Sequence, residues 1–105
     1  MTREDVTRLG IVTGLAFEAA ILNQQFKTSD SGTERPDIRI AGANSARAQL
    51  AAQVMIDDGA TALMSFGVAG ALDPMLVPGD LVIANRIIGP EGDTITTDSD
   101  WAARL

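Results

Sequence analysis

Three strand-like segments alternate with two helical patterns between residue 9 and residue 66 of this chain. Residues 9–15 and 62–66 are short apolar runs that end in turns of small residues, and residues 37–41 alternate polar and apolar side chains. Strand, helix, strand, helix, strand is the pattern of an α/β fold with a mostly parallel, twisted sheet. The alternation therefore predicts a three-layer arrangement, with helices flanking that sheet.

The two helical patterns predict which side chains pack on the sheet. One covers residues 17–26, and the other runs from Asn44 or Ser45, which can cap it, to about residue 58, where Gly59 ends it. Apolar side chains that recur at helical spacing are expected to face the core. They are Leu15, Ala19, Leu22 and Phe26 in the first pattern, and Ala46, Leu50, Ala51, Val54 and Met55 in the second.

The remaining segments predict loops, a fourth strand and a short helix. Residues 27–36 are rich in Ser, Thr, Asp and Gly, which is typical of a loop. Residues 81–88 predict a fourth strand, residues 89–100 are polar and turn-rich, and a helix is expected to begin at Trp101. No repeat or shift in composition marks a boundary, so residues 1–105 are expected to form a single α/β domain.

Composition restricts the chemistry of any site. The chain has 14 acidic and 8 basic residues, a net charge of −6, and no cysteine, histidine or tyrosine. The negative charge disfavours nucleic acid as a partner. The missing residue types exclude disulfides, Cys/His zinc sites, thiol nucleophiles and Ser-His-Asp arrangements within this chain. Acid–base chemistry is left to Asp, Glu or Lys27.

Location follows from two further absences. No apolar run is long enough to span a bilayer, and residues 1–8 lack the apolar core of a signal peptide. We therefore expect a cytoplasmic protein without a membrane span.

Three loops are expected to meet at the carboxyl ends of the strands, where ligands bind in such folds. They are residues 13–18, 42–47 and 67–71, and all are rich in small residues. Thr13 and Gly14 would let an anion approach backbone N–H groups at a helix start, although Gly14 on its own can simply make the turn. The spacing is not that of the G-x-G-x-x-G dinucleotide fingerprint.

Glu18 is the first candidate for chemistry. It is the only acidic residue between Asp5 and Asp30, and it lies in the first turn of the first helix. A carboxylate there can orient or deprotonate a water or hold a substrate hydroxyl. It can equally be a glutamate that stabilises the helix start.

The other two loops also have two interpretations each. Asn44 and Arg47 lie at the start of the second helix and suit a phosphate, but they are equally an ordinary cap and a solvated arginine. Gly67 and Gly70 can expose backbone N–H groups to an anion or to a planar ring, or can simply allow close packing. The residues alone leave both pairs open.

Taken together, the loops resemble a known family. Residues 10–18 are similar to the opening of methylthioadenosine/adenosylhomocysteine nucleosidases and their phosphorylase relatives, in the purine/uridine phosphorylase superfamily. Residues 42–48 look like their second loop. Residues 67–71 and 76–83 resemble their Gly-x-Ala-Gly turn and the Gly-Asp strand after it. Residues 69–74, with Arg47 and Ala48, are most similar to the hopanoid-associated phosphorylase branch.

The resemblance implies roles for these residues. Glu18 matches the acidic residue that activates the attacking water, and Thr13 and Gly14 match the pocket for the nucleophile. The residues matching those under the ribose and base are Gly67, Val68, Ala69 and Gly70. Two departures weaken phosphate as the nucleophile. Val68 replaces a family Ser or Thr, and Ser65-Phe66 stands where phosphorylases carry an arginine, which leaves Arg47 as a substitute.

The implied activity is cleavage of the N-glycosidic bond of an adenosyl-type purine nucleoside, as a transferase or a hydrolase, in hopanoid biosynthesis. It needs no cofactor, only phosphate or water as co-substrate, and the family is typically homo-oligomeric. Family domains are longer than this chain, and their second half supplies the acid that protonates the purine. We therefore expect this chain to carry the N-terminal half of the site and to be inactive alone. The competing hypothesis is a non-catalytic α/β module for nucleoside or anion binding, or for oligomerisation.

Overall fold

A computed structural model describes residues 8–27 and 35–105 of the chain. The chain divides into two compact units, Met1–Ala69 and Gly70–Leu105. The predicted loop at residues 27–36 and the chain start at residues 1–7 lie largely or wholly outside the described residues, as does the side chain of Lys27.

The first unit contains a parallel sheet and two helices. Its elements are β1 (Leu9–Thr13), α1 (Ala16–Lys27), β2 (Asp37–Ile40), α2 (Ser45–Asp57) and β3 (Ala62–Phe66). The strand order is β2-β1-β3, and β1 is parallel to both neighbours. Each strand was predicted from its apolar or alternating pattern, and each ends within two residues of its predicted limits.

The strand order determines where the helices lie. The connection through α1 leads from β1 to one side of the sheet, and the connection through α2 leads back across β1 to the other side. Because parallel crossovers are right-handed, two crossovers in opposite directions place their helices on opposite faces. Packing agrees with this, since a Cβ added at Gly10 would lie 2.8 Å from the Met55 sulfur of α2. The predicted three-layer α/β class is confirmed.

The core of this unit is small and aliphatic. Its buried apolar side chains are Ile11, Ala19, Leu22, Ala41 and Met55. Three predicted core positions are wrong, since Leu15 and Leu50 are 44% and 66% exposed and Ala46 is also exposed. Leu15 lies in the turn before α1. Leu50 is five positions before Met55, which places it about 140° around the helix from the residue that contacts the sheet.

Both ends of α2 follow their sequence signals. The Asn44 side chain caps the helix by accepting a hydrogen bond from the Arg47 N–H at 2.9 Å. Gly59 follows with φ +108°, a left-handed conformation that favours glycine after a helix. Ala43, just before the cap, has φ +55°, which is uncommon for a residue with a Cβ.

The second unit contains a two-stranded hairpin and a short helix. β4 (Arg86–Ile88) pairs antiparallel with β5 (Thr94–Thr96), and α3 covers Ser99–Ala102. The predicted strand at residues 81–88 is therefore wrong for residues 81–85, and the predicted loop at 89–100 contains a strand. A β-branched pattern becomes a strand only where its backbone finds a partner, and only residues 86–88 find one. None of the helices in the described residues is long and apolar enough to cross a membrane.

Candidate functional site at the carboxyl end of the sheet

In the first unit, the direction in which the chain adds strands to the sheet reverses at one point, between β1 and β3. The chain leaves β1 toward β2 on one side, and it later returns to β3 on the other. In open α/β sheets, ligands bind beyond the carboxyl ends of the strands at such a point. The loops that meet there are the β1–α1 turn and the segment after β3, which contain Gly14 and Gly67.

Glu18 joins these two loops. It is only 4% exposed, although it is charged. One carboxylate oxygen, Oε1, accepts hydrogen bonds from the N–H groups of Gly14 (3.0 Å) and Leu15 (2.9 Å). The other, Oε2, accepts the Val68 N–H at 2.8 Å, from a residue 50 positions away. The bond to Leu15 is half of a capping box, so Glu18 also has the structural role considered for it.

The hydrogen bonds change the acidity of Glu18. The Val68 N–H lowers the pKa of this carboxyl below its ordinary value, burial opposes that shift, and the Leu15 and Gly14 N–H groups lower the pKa further. Glu18 is therefore ionised at neutral pH. It is a weaker proton acceptor than an ordinary glutamate but a well-oriented negative charge.

A carboxylate has about four acceptor positions, two on each oxygen. The Gly14 and Leu15 N–H groups fill two positions on Oε1, and the Val68 N–H fills one on Oε2. Since no further donor reaches the carboxylate from the described residues, one position on Oε2 is left for a water or a hydroxyl group. The geometry suits a carboxylate that orients a nucleophile or holds a substrate hydroxyl.

A cleft of about 230 Å³ lies at the start of α2, and Glu18 is not among the described residues that line it. The residues that line it include Thr13, Gly14, Ala43, Asn44, Ser45 and Ser65. Gly14 belongs to both features, because its backbone lines the cleft and its N–H binds Glu18. A helix start with hydroxyl groups around it suits a small anion or a polar group.

Thr13 carries an unsatisfied polar atom. The residue is 1% exposed, and its Oγ1 has no hydrogen-bond partner among the residues that the structure describes. Alternation along β1 places this side chain on the same face as Ile11, whereas Gly10 faces Met55 of α2. The hydroxyl therefore lies on the α1 side of the sheet.

Three further candidate residues, Arg47, Val68 and Ala69, lie in the first unit, and Gly70 lies in the second. The Arg47 guanidinium lies close to Gly42, with Nη1 3.4 Å from where a Cβ would stand there. The Val68 side chain is 69% exposed, so its backbone N–H is the part that contacts Glu18. Ala69 and Gly70 are exposed, and a Cβ at Gly70 would meet no atom within 4 Å.

Sequence reasoning missed the part of Ser65 and Ala43 in the cleft. Ser65 was noted only as a departure from a family arginine, yet it is the register partner of Val12, which also lines the cleft. The signal was a single polar residue in the apolar β3 segment. Ala43 gave no signal, since its left-handed backbone is visible only in three dimensions.

Two further observations concern the binding of ions: the ion pairs of Arg39 and the arrangement of the acidic side chains. Arg39 is held by Asp37, with Nε–Oδ1 at 2.8 Å, and by Asp58 at 3.6 Å. Its guanidinium is therefore committed to these acids. Within residues 8–27 and 35–105, no three acidic side chains lie close enough together to hold a metal ion.

Comparison with known proteins decides the family. The family model described as the phosphorylase superfamily matches residues 31–102, about two thirds of the chain. The chain belongs to the phosphorylase superfamily. The match contains the second and third loops of the candidate site, and the β1–α1 turn with Glu18 precedes it. No protein with a curated description and no solved structure shows a significant match.

Membership of the phosphorylase superfamily relates the fold and the two matched loops to one type of enzyme. The superfamily acts on small nucleoside substrates, so this chain is of the nucleoside phosphorylase or nucleosidase type. The parallel three-stranded sheet with flanking helices agrees with that fold.

Proposed function

We propose that this chain forms the nucleophile side of a site that cleaves the N-glycosidic bond of an adenosyl-type purine nucleoside. The observation that carries the proposal is the buried Glu18 carboxylate, held by N–H groups from both loops at the switch point of the sheet. In the reaction the C1′–N bond breaks, its electron pair leaves with the base, and an oxygen nucleophile bonds to C1′. Following the resemblance of residues 69–74, we place the substrate in hopanoid biosynthesis.

Glu18 would act by orientation and charge. Its remaining acceptor position can bind the proton of an attacking water, or a ribose hydroxyl, and its negative charge stabilises the cationic sugar of the transition state. The cleft at the start of α2, with Gly14, Asn44 and Ser45, would hold the nucleophile or a neighbouring polar group. Thr13 also lines this cleft, but its hydroxyl lies on the α1 side of the sheet. Water would give free ribose and phosphate would give ribose 1-phosphate, and neither reaction needs a cofactor.

The roles of the third loop and of Arg47 in this proposal differ. Gly67 and Val68 would support the carboxylate, and Ala69 and Gly70 would lie along the ribose and base. Arg47, near Gly42, would supply the positive charge for phosphate in place of the arginine that phosphorylases carry. Since the family takes the acid that protonates the purine from another segment, this chain would need that acid from elsewhere.

In the test of this proposal, protons from the solvent replace the acid that protonates the purine. Because the acid must come from elsewhere, we expect no turnover by the chain alone at neutral pH. Release of adenine from adenosine-type nucleosides is expected only at about pH 5, where solvent protons assist departure of the base and Glu18 stays ionised. Free base is measured by chromatography with protein at substrate-level concentration, with and without phosphate. Ribose 1-phosphate would identify phosphorolysis, and ribose alone would identify hydrolysis. Release no faster than in buffer would contradict the proposal and favour the nucleoside- or anion-binding module.

We also propose that the chain self-associates. Both outer strands of the described sheet have one unpaired side, and several large apolar side chains of this unit are exposed. They include Ile40 at 53%, Leu50 at 66% and Leu63 at 40%. Sedimentation velocity at micromolar concentration should show a dimer or larger species. A monomer over the whole concentration range would contradict this.

A further inference from the structure

Gly67 has a structural requirement that its backbone conformation does not explain. A Cβ built at this position would lie 2.6 Å from Oε2 of Glu18, 3.1 Å from its Cδ and 3.2 Å from Oε1. No positive φ is involved, because the left-handed glycines are Gly42, Gly59, Gly79 and Gly92 among the described residues. What excludes a side chain at 67 is therefore the carboxylate of Glu18.

The clash cannot be relieved by a small rotation of Glu18. Three backbone N–H groups hold its two oxygens, and moving the carboxylate away from position 67 would lengthen the 2.8 Å bond between Oε2 and the Val68 N–H. Because the side chain is 4% exposed, water cannot freely replace that donor. The carboxylate is thus held by the Val68 N–H, and it fills the space that a side chain of residue 67 would occupy.

We propose that Gly67 is the positioning residue for Glu18, and that the missing side chain at 67 is what lets the Val68 N–H bind and orient the carboxylate. Gly67 acts through Glu18 and contacts neither nucleophile nor substrate in this role. The inference rests on the proposed function only for its catalytic meaning, because the coupling between Gly67, Val68 and Glu18 exists whether or not the chain turns over a substrate.

The experiment follows the Glu18 carboxyl directly. In protein labelled with ¹³C and ¹⁵N, the Glu18 carboxyl resonance is titrated with pH in the wild type, in Gly67→Ala and in Gly70→Ala. We expect Gly67→Ala to raise the Glu18 pKa toward or above its ordinary value and to shift the Val68 amide resonance. Gly70→Ala is the matched control, since a Cβ there meets nothing within 4 Å. No charged side chain contributes to the lowered pKa among the described residues, so loss of the Val68 N–H is the expected cause of a rise.

A second measurement applies even if Gly67→Ala is poorly folded. Gly67→Ala is introduced into the wild type and into a Glu18→Ala background, and urea unfolding midpoints are compared. We expect a clear drop in the midpoint in the wild type and little or no drop once the carboxylate is absent. An equal loss in both backgrounds, or an unchanged Glu18 titration in folded Gly67→Ala, would overturn the inference. Neither readout uses turnover, so an inactive chain would remove the proposed function and leave this inference standing.

Discussion

Glu18→Gln should reduce the rate of adenine release by about 100-fold or more, which is the usual effect of removing a positioned catalytic carboxylate. Glutamine keeps the size of the side chain but removes the negative charge. Its amide group also presents a donor where Oε2 accepts the Val68 N–H, or where Oε1 accepts those of Gly14 and Leu15. The rate is measured in the chromatographic assay for free base, at saturating nucleoside.

Glu91→Gln is the matched control for the loss of one carboxylate. Glu91 is an exposed residue of the second unit, so its replacement should leave the rate unchanged. Equal rates for Glu18→Gln and the wild type would remove Glu18 from the chemistry. It would then be only the glutamate that caps α1 and ties the two loops together.

The lowered pKa of Glu18 also fixes the sign of a pH effect. A carboxyl whose folded-state pKa is depressed contributes stability above its unfolded pKa, and that stability is lost as pH falls through the folded pKa. The wild type should therefore lose more stability than Glu18→Gln as pH falls below about 4.3. The activity that depends on the ionised carboxylate should decline in the same range.

Met55→Ala should cost about 2–5 kcal/mol of unfolding free energy, the range for truncating a buried methionine. Met55 is 1% exposed, and its sulfur packs against β1 over Gly10, where a side chain would come within 2.8 Å. Removing it opens a cavity between α2 and the sheet. Urea unfolding followed by circular dichroism measures the change.

Met75→Ala is the comparison for this substitution. Met75 is 83% exposed, and surface truncations normally change stability by no more than about 0.5 kcal/mol. If the two variants lose similar amounts, α2 does not pack on the sheet through Met55.

The elements of the first unit could be predicted because their signals are local. Residues 62–66 form a strand from their own apolar run, Asn44 caps α2 through a side chain three residues from its partner, and Gly59 ends the helix. Residues 81–85 show the limit of such signals. Their β-branched pattern is as clear, but a strand also needs a partner backbone, and only residues 86–88 have one.

For the first unit, the sequence by itself predicted the α/β class and the order of the elements. It also led to the hypothesis of a site formed by Glu18 and three loops at one edge of the sheet. Only the tertiary structure decided how these parts act on one another. The sequence marks Val68 only by the hydroxyl group that a family Ser or Thr would carry there. In the structure its backbone N–H binds Glu18, a residue 50 positions away. Gly67 matters because that carboxylate fills the space of its missing side chain. Composition and spacing report local preferences, whereas a shared hydrogen bond between distant loops exists only once the strands are side by side.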